Sequence, residues 1–567
     1  MQDYENHSIQ ELPLSAPFFR TQVVNFLSEN GLRLEDVDSY FTLQDSNGRI
    51  MAGAGLKADV IKCVAVAPEA RSEGLSAPLI SHLISVAALR GVNNLKVFTK
   101  PANLPLFRSL GFKELASAPD AVFMENGRGL EKYCETLRGL RRPGKCGVVV
   151  MNANPFILGH KYLVSKALES VDTLFVIPVA EDLSLFSYAE RLAMTEAGIR
   201  EFGGRVVLVP GSSYCISAAT FPTYFLKDLS SASMNQMALD LDLFARHIAP
   251  ALGASLRFVG SEPSDRLTAR YNSLMKKALP TMVIPRLKGS DGRFVRATRV
   301  RALLEEGRYR RASELTPAST RPYLLAFLAH RALRLELDAP LKPGLVCPGS
   351  SGAHSDMDYG TMLRGIQALR PFWPRMALAA TADELRLLGI EAEKAMMAAT
   401  GGVNTHRGAI FAIGLALNAG YGQGYFPENK RVMQKRLAEI AQAIIDKQLK
   451  DRKLSKSALS KSAARAIALE GYRPLFRDWL PYFRSLKGDS LALQKTLLRI
   501  MASLEDSCVL HRAGAAKALE LRKAAGETSA DEKALARLCS LCEAEGISPG
   551  GAADMLSLTI FIDSILK

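Results

Sequence analysis

Apolar positions along this chain fall into two regimes. Up to about residue 320, short apolar runs alternate with stretches of helical period; beyond it only the helical period remains. Phe41–Gln44 and Arg49–Ala52 flank the turn Asp45-Ser46-Asn47-Gly48, a hairpin pattern. Val60–Val66 is a mainly apolar run, an amphipathic helix follows over Ala77–Arg90, and Leu95–Thr99 reads as a further strand. Gly147–Met151 is apolar throughout, as a strand buried on both faces of a parallel sheet must be, and Thr173–Pro178, Arg205–Val209 and Leu256–Gly260 supply more strands. Ser187-Tyr188-Ala189-Glu190 predicts a capping box at a helix start. Past 320 the helical patterns are Tyr359–Leu369, Ala382–Ala399, Gly408–Ala419, Arg431–Leu449, Leu491–Leu504, Arg512–Ala525 and Asp531–Glu545. The predicted architecture is multidomain: mixed α+β over 1–135, α/β with a parallel sheet over 136–320, and all-α over 321–567.

Chemistry gathers where these elements join. After Gly147–Met151 comes the turn Asn152-Ala153-Asn154-Pro155, and Gly159-His160 stands where the next helix begins. Unpaired N–H groups and positive dipole collect phosphates at such a point, and an imidazole on the first turn can donate to a phosphoryl oxygen. Asn154-Pro155-Phe156 ahead of Leu158-Gly159-His160 resembles the nucleotidyltransferase signature, in particular that of the citrate lyase ligases. Ile157 replaces the signature's first His or Thr, which leaves more of the phosphate contact to His160. The segment Ile216–Phe225 resembles the same family, and Val295–Arg301 resembles its second signature at Thr298 and Arg301, with Arg296 in place of a Ser. A hydroxyl at a helix N-terminus and a guanidinium one turn later suit a polyphosphate. The resemblance implies a Rossmann-like nucleotide fold and an AMP-forming ligase. Such an enzyme attaches acetate, using ATP, to the prosthetic-group thiol on the citrate lyase acyl carrier subunit. His160, Thr298 and Arg301 are then the expected catalytic residues, with Asn154, Phe156, Gly159, Arg191 and Gly260 around the nucleotide. For Arg191 the sequence leaves two readings open, one facing the phosphates and one at the surface.

In the first module, Val60–Val66 leads through Ala67-Pro68-Glu69-Ala70-Arg71-Ser72-Glu73-Gly74-Leu75-Ser76 into a helix. A strand that splays into an Arg-x-x-Gly-x-small loop presents backbone N–H groups to a pyrophosphate. Together with Leu95–Thr99 and the late Gly111-Phe112, it is similar to the GNAT acetyltransferases. That resemblance implies a coenzyme A or pantetheine seat at Val66, Arg71, Gly74 and Ser76, either catalytic or kept only as a scaffold.

The helical module carries its polar motifs at junctions: Gly352–Asp358, Gly401–Ala409 and Ser548–Asp554, with Leu510-His511-Arg512-Ala513-Gly514 between the last two. Ser548 reads as an N-cap with Pro549 at the first helical position. These motifs resemble the triphosphoribosyl-dephospho-CoA synthases, which move the triphosphoribosyl group of ATP onto dephospho-CoA and release adenine. The resemblance implies ATP contacts from Asn404, His406, Arg407, Gly408, Ser548, Gly550, Gly551 and Asp554. His354, Asp356 and Asp358 offer an imidazole and two carboxylates for Mg²⁺, with Asp356 and Asp358 as catalytic candidates. Cys347 replaces a usual Asp and Arg407 a usual Lys.

Composition narrows the class. The formal charge is +15 over 567 residues, which favours anionic partners such as nucleotides, coenzyme A derivatives or an acidic carrier. Nucleic acid is disfavoured, since the basic residues are dispersed apart from Lys447–Arg465 and no binding motif accompanies them. No apolar run reaches the ~18 residues of a membrane span. Eight scattered cysteines do not form a disulfide framework, and a cytoplasmic setting is expected. The reading is a bifunctional citrate lyase maturation enzyme. Alternatives are the same activities serving malonate decarboxylase, an adenylyltransferase fused to a helical ATP-binding domain, and a non-catalytic ATP-sensing or carrier-docking protein.

Overall fold

A computed structural model describes residues 8–71, 73–180, 184–215, 221–222, 229–261, 279–421, 429–452, 463–529 and 531–567. Ser72, most of the Ile216–Phe225 segment and Glu262-Pro263 lie outside them. Contacts divide the chain into one unit of Met1–Asn154 with Gly159–Phe294 and another of Pro155–Leu158 with Val295–Lys567. Residues 295–320, read from the sequence as the end of the second module, thus group with the helices.

The first unit holds two sheets. One comprises β1 (Gln10–Leu12), β2 (Ser39–Gln44), β3 (Ile50–Lys57), β4 (Val60–Val66), β5 (Leu95–Thr99), β6 (Lys113–Ser117) and β7 (Val122–Asn126), in the order β1-β2-β3-β4-β5-β7-β6. The predicted hairpin is β2–β3, its turn closed by Asp45 Oδ1, which accepts from the Asn47 and Arg49 N–H groups at 2.9 Å each. All pairs are antiparallel except β4 with β5, which run parallel and share register only at Val60/Lys96 and Ile61/Val97. Cys63, at φ +52°, sits on the far side of that short contact, where β4 bulges and parts from β5. The gap between parallel neighbours is the device that the acetyltransferase resemblance implied.

The second sheet is fully parallel: β8 (Cys146–Met151), β9 (Thr173–Pro178), β10 (Val206–Leu208), β11 (Leu256–Gly260) and β12 (Thr281–Ile284), in the order β10-β9-β8-β11-β12. Strand order reverses between β8 and β11, so the crevice for a ligand opens there. A continuous core runs from Phe26, Tyr40 and Phe123 of the first sheet to Val148, Phe175 and Leu252 of the second. Polar contacts reinforce the joint. Lys96, only 4 % exposed, donates to Asp59 and to Ser213 Oγ, and Tyr214 OH donates to Glu125 Oε2.

The second unit is helical and is built around its last helix, Gly550–Leu566. Every residue from Met555 to Ile565 is buried, against Arg321–Asp338, Arg407–Tyr421 and Ala492–Ser503. Its polar groups are satisfied inside. Thr559 and Ser564 hydroxyls donate to Met555 and Ile560 carbonyls, and Asp563 accepts from Arg484 Nε at 2.6 Å. A helix buried on all sides shows no apolar stripe, so sequence period does not reveal it. The structure also corrects the expected cap: Pro549 occupies the N-cap position, and Ser548 turns its hydroxyl to His354.

Candidate functional site

In the first unit the candidate site lies at the C-terminal ends of β8, β11 and β12. Asn152 and Ala153 leave β8, with Ala153 in the left-handed region at φ +50°, and the helix Leu158–Ala167 brings Gly159 and His160 to the crevice. Gly260 ends β11 with nothing within 4 Å of where a Cβ would stand. Beyond β12, Arg286 folds back on Ser261, its Nε donating to the Ser261 carbonyl at 2.6 Å and its N–H to the hydroxyl at 3.2 Å. His160 keeps part of its surface open. Burial, and then the Arg286 charge, hold its pKa down to about 4, so the ring is neutral at pH 7 and offers an N–H without a charge. Sequence reasoning missed both β12 and Arg286; the one signal is an Arg directly after a short apolar run bounded by Pro280 and Pro285.

Two expected ligands have other work. Arg191 is fully buried, and its guanidinium donates to the carbonyls of Asn152 (2.8 Å), Val179 (2.7 Å) and Phe186 (3.2 Å). It is therefore not at the surface, and it braces the turn after β8 against the end of β9. Asn154, 7 % exposed, accepts from the Phe186 N–H through Oδ1. The capping box that starts the Arg191 helix is present as read, between Ser187 and Glu190.

On the first sheet, Val66 ends β4, and the chain passes through Arg71 and Gly74 (φ +72°, open around its Cα) into the helix Ser76–Leu89, whose N-terminus has no side-chain cap. Arg71 donates to Asn30 Oδ1 at 3.3 Å. The four residues thus follow one another from the splayed strand to a helix start.

Within the second unit, Thr298 lies exposed in the first turn of the helix Ala297–Glu305, with Arg301 one turn on and Arg296 at the N-cap making no side-chain cap bond. Phe156 is fully buried and its carbonyl accepts from Thr320 Oγ1 at 2.9 Å; Ile157 is 3 % exposed. Both side chains serve packing, which explains why an apolar residue is accepted at position 157.

The helical unit brings together motifs far apart in sequence. His354, Asn404, His406, Arg407, Gly408, Ser548, Gly550 and Asp554 line one cleft of about 170 Å³. Three helix starts point at it. Asn404 Oδ1 accepts from Arg407 N–H, and Asp506 accepts from Cys508 and Ala552 N–H at 2.8 and 2.9 Å. Gly408 is required, since a Cβ there would lie 1.9 Å from Asp554 Oδ2. His406 is 4 % exposed; its Nδ1 meets Thr405 Oγ1 at 2.8 Å, its Nε2 has no hydrogen-bond partner among the described residues, and burial pushes its pKa down to about 3. Burial, then Asp506 and Glu336, push the Asp554 carboxyl well above the usual carboxylate range. Arg407 pairs with Glu393. Arg512 also lines the cleft and has no ion pair among the described residues; sequence reasoning gave it no role of its own, although it stands in the Leu510–Gly514 motif. Gly551 lies behind the cleft, against Asp506.

The expected Mg²⁺ cluster does not form. Asp358 is the N-cap of Tyr359–Leu369, accepting from Thr361 N–H and hydroxyl at 2.7 Å each. His354 Nε2 is 2.8 Å from Ser548 Oγ, and its Nδ1 is 3.5 Å from the half-exposed Asp356. Burial and Arg512 keep that imidazole below its ordinary pKa, so the contact is not an ion pair at neutral pH. Among the described residues no group of three His, Cys, Asp or Glu side chains is arranged to hold a metal.

A crevice at the ends of a parallel sheet and a cleft among helix starts are the two candidate sites of this chain. Residues 146–324 match the citrate lyase ligase C-terminal domain family, and 322–567 match the ATP:dephospho-CoA triphosphoribosyl transferase family. The [citrate [pro-3S]-lyase] ligase of Klebsiella pneumoniae is 39 % identical over 317 residues, 54 % of this chain and 92 % of that protein; its Escherichia coli K12 counterpart is 38 % identical over 321 residues, 54 % and 91 %. The 2-(5''-triphosphoribosyl)-3'-dephosphocoenzyme-A synthase of Klebsiella pneumoniae is 35 % identical over 266 residues, 42 % of this chain and 95 % of that protein. The chain belongs to both the citrate lyase ligase family and the triphosphoribosyl-dephospho-CoA synthase family.

Proposed function

We propose that this chain carries out two steps of citrate lyase maturation, with the ligase over residues 1–320 and the synthase after it. The ligase activates acetate on ATP. A carboxylate oxygen attacks the α-phosphorus, pyrophosphate leaves, and the carrier's thiol then takes the acetyl group from acetyl-AMP. No protein nucleophile is needed, only positioning and charge. His160 is a neutral donor to a phosphoryl oxygen, Thr298 and Arg301 are further phosphate ligands, and Val66–Ser76 is the seat for the pantetheine arm. The synthase transfers triphosphoribose from ATP to a hydroxyl of dephospho-CoA and releases adenine. ATP enters as its Mg²⁺ complex, the metal carried chiefly by the phosphates, as suits a cation that keeps most of its waters.

The observation that carries this reading is the helical cleft, where three junctions separated by up to 200 residues meet around a His406 nitrogen with no hydrogen-bond partner among the described residues. Eight free thiols and the lack, among the described residues, of a helix apolar enough to cross a membrane support action in the cytoplasm. The test is incubation of the whole chain with ATP, Mg²⁺ and dephospho-CoA, read by mass spectrometry, and separately with ATP, acetate and citrate lyase carrier subunit. Free adenine with a triphosphoribosyl adduct, and acetylated carrier with AMP and pyrophosphate, are the expected products. A chain that forms neither is a binding protein.

A further inference from the structure

Behind the main cleft lies a second, water-sized cavity of about 20 Å³, and Asp554 and Gly408 line both. On its far wall stands Tyr472. This residue is 0 % exposed, its hydroxyl has no hydrogen-bond partner among the described residues, and it is held at φ +55°, a strained conformation for a side chain of this size. Asp506 closes another side, its oxygens occupied by the Cys508 and Ala552 N–H groups. The rest of the lining is mainly apolar, so the Tyr472 hydroxyl and the Asp554 carboxyl are the polar groups to which one internal water in this space can bond. We propose that Asp554 donates the proton that lets adenine leave, and that Tyr472 positions it through a water in the cavity between them.

The inference rests on the synthase reading above and adds roles that reading does not contain. A carboxylate at Asp554 would lose much of its hydration at the wall between the two cavities and stand close to the Asp506 and Glu336 carboxyls, so the neutral acid is the form the site favours. A neutral carboxyl donates a hydrogen bond, whereas it is a poor partner for a metal or for positive charge on the sugar. The bond from C1′ to N9 breaks and its electron pair stays with the base. Asp554 gives its proton to a ring nitrogen, so adenine departs neutral. The hydroxyl oxygen of dephospho-CoA bonds to C1′, and the proton it loses restores the carboxyl. No proton is exchanged with solvent overall, and no oxidant or second acid is required.

The experiment compares ATP with ATP methylated at N7 of the base, a leaving group already cationic and in no need of protonation. With the full chain, Mg²⁺ and dephospho-CoA, Asp554→Asn should release adenine from ATP about 10²- to 10⁴-fold more slowly than the parent. On the methylated nucleotide it should come within about tenfold of the parent, since the residual difference lies in binding rather than in acid catalysis. Tyr472→Phe should show a smaller loss in kcat on ATP with KM for ATP unchanged, and the loss should vanish on the methylated nucleotide. Helix content by circular dichroism tests that both variants fold, and infrared spectroscopy should show a protonated-carboxyl stretch in the parent that Asp554→Asn lacks. Asp554→Asn equally slow on both nucleotides, or as fast as the parent on ATP, overturns the acid role. Tyr472→Phe slowed equally on both overturns the positioning role. A parent chain that releases no adenine at all overturns the synthase reading itself, and the proposal with it.

Discussion

Replacing His160 with Asn removes a half-buried imidazole whose protonation the fold resists, and the effect should be readable as a change in how stability responds to acid. The folded pKa is about 4 against about 6.5 for a free imidazole, because burial penalises the charged ring and Arg286 adds to the penalty. A depressed folded value means that the unfolded chain binds the proton more readily. The stability tied to the neutral ring is therefore complete above about pH 6.5 and is lost as pH falls towards 4. At 1.36 kcal/mol for each tenfold difference in proton affinity, the whole loss is about 3 kcal/mol, of which about 2 kcal/mol falls between pH 7 and pH 5. Hydrogen exchange of the β8 and β9 amides, corrected for intrinsic rates, measures this in the unit concerned. The parent should lose about 2 kcal/mol more protection than His160→Asn over that interval. Equal losses would refute the reasoning, since the imidazole would then titrate alike in both states. A corollary concerns turnover: acetate-dependent exchange of pyrophosphate into ATP should show no inflection near pH 6.5 attributable to His160.

Arg301→Ala should lower that exchange by about 10²- to 10³-fold, the usual loss for one charged contact to a developing oxyanion, and leave adenine release unchanged. Gly408→Ala should abolish adenine release with little change in circular dichroism, because the new methyl takes the place of Asp554 Oδ2; full activity would mean that Asp554 stands elsewhere. Lys342 and Glu336 form a buried pair at 1 % and 4 % side-chain exposure. Lys342→Met should cost about 3–5 kcal/mol in urea unfolding, and adding Glu336→Leu should recover most of it, since the penalty is the stranded charge.

Where a local rule determines an element, the sequence was readable. Asp45 closes its turn, Ser187 and Glu190 form their box, Tyr359–Leu369 and Ala382–Ala399 span the helices read for them, and β8 and β9 follow from unbroken apolar runs. The unread parts lack such a rule. β6, β7 and β12 are only four or five residues long, β6 and β7 with mixed patterns, too short for a period to mark them as strands. Gly550–Leu566 is apolar on every side. In the helical unit, most residues of the junctions singled out line one cleft. For His354, Asp356 and Asp358, closeness in sequence is not convergence in space: Asp358 Oδ1 accepts from Thr361 at its own helix start, two residues from an Asp356 that faces solvent. Tyr472 and Arg286 carry no motif at all, and only the fold brings them to a site.

The all-round burial of Gly550–Leu566 also sets the order of events during synthesis. Arg321–Asp338, Arg407–Tyr421 and Ala492–Ser503 each reserve a face for a helix that leaves the ribosome after all of them. At about 5–20 residues per second, the first of these waits on the order of ten to fifty seconds for its partner. Through that interval three apolar faces stand uncovered, and nascent chains translated close together on one message have time to find one another. The same arrival delivers Gly550 and Asp554 to the cleft, so a chain stopped short of it leaves the helical unit without its central helix and the cleft without one wall.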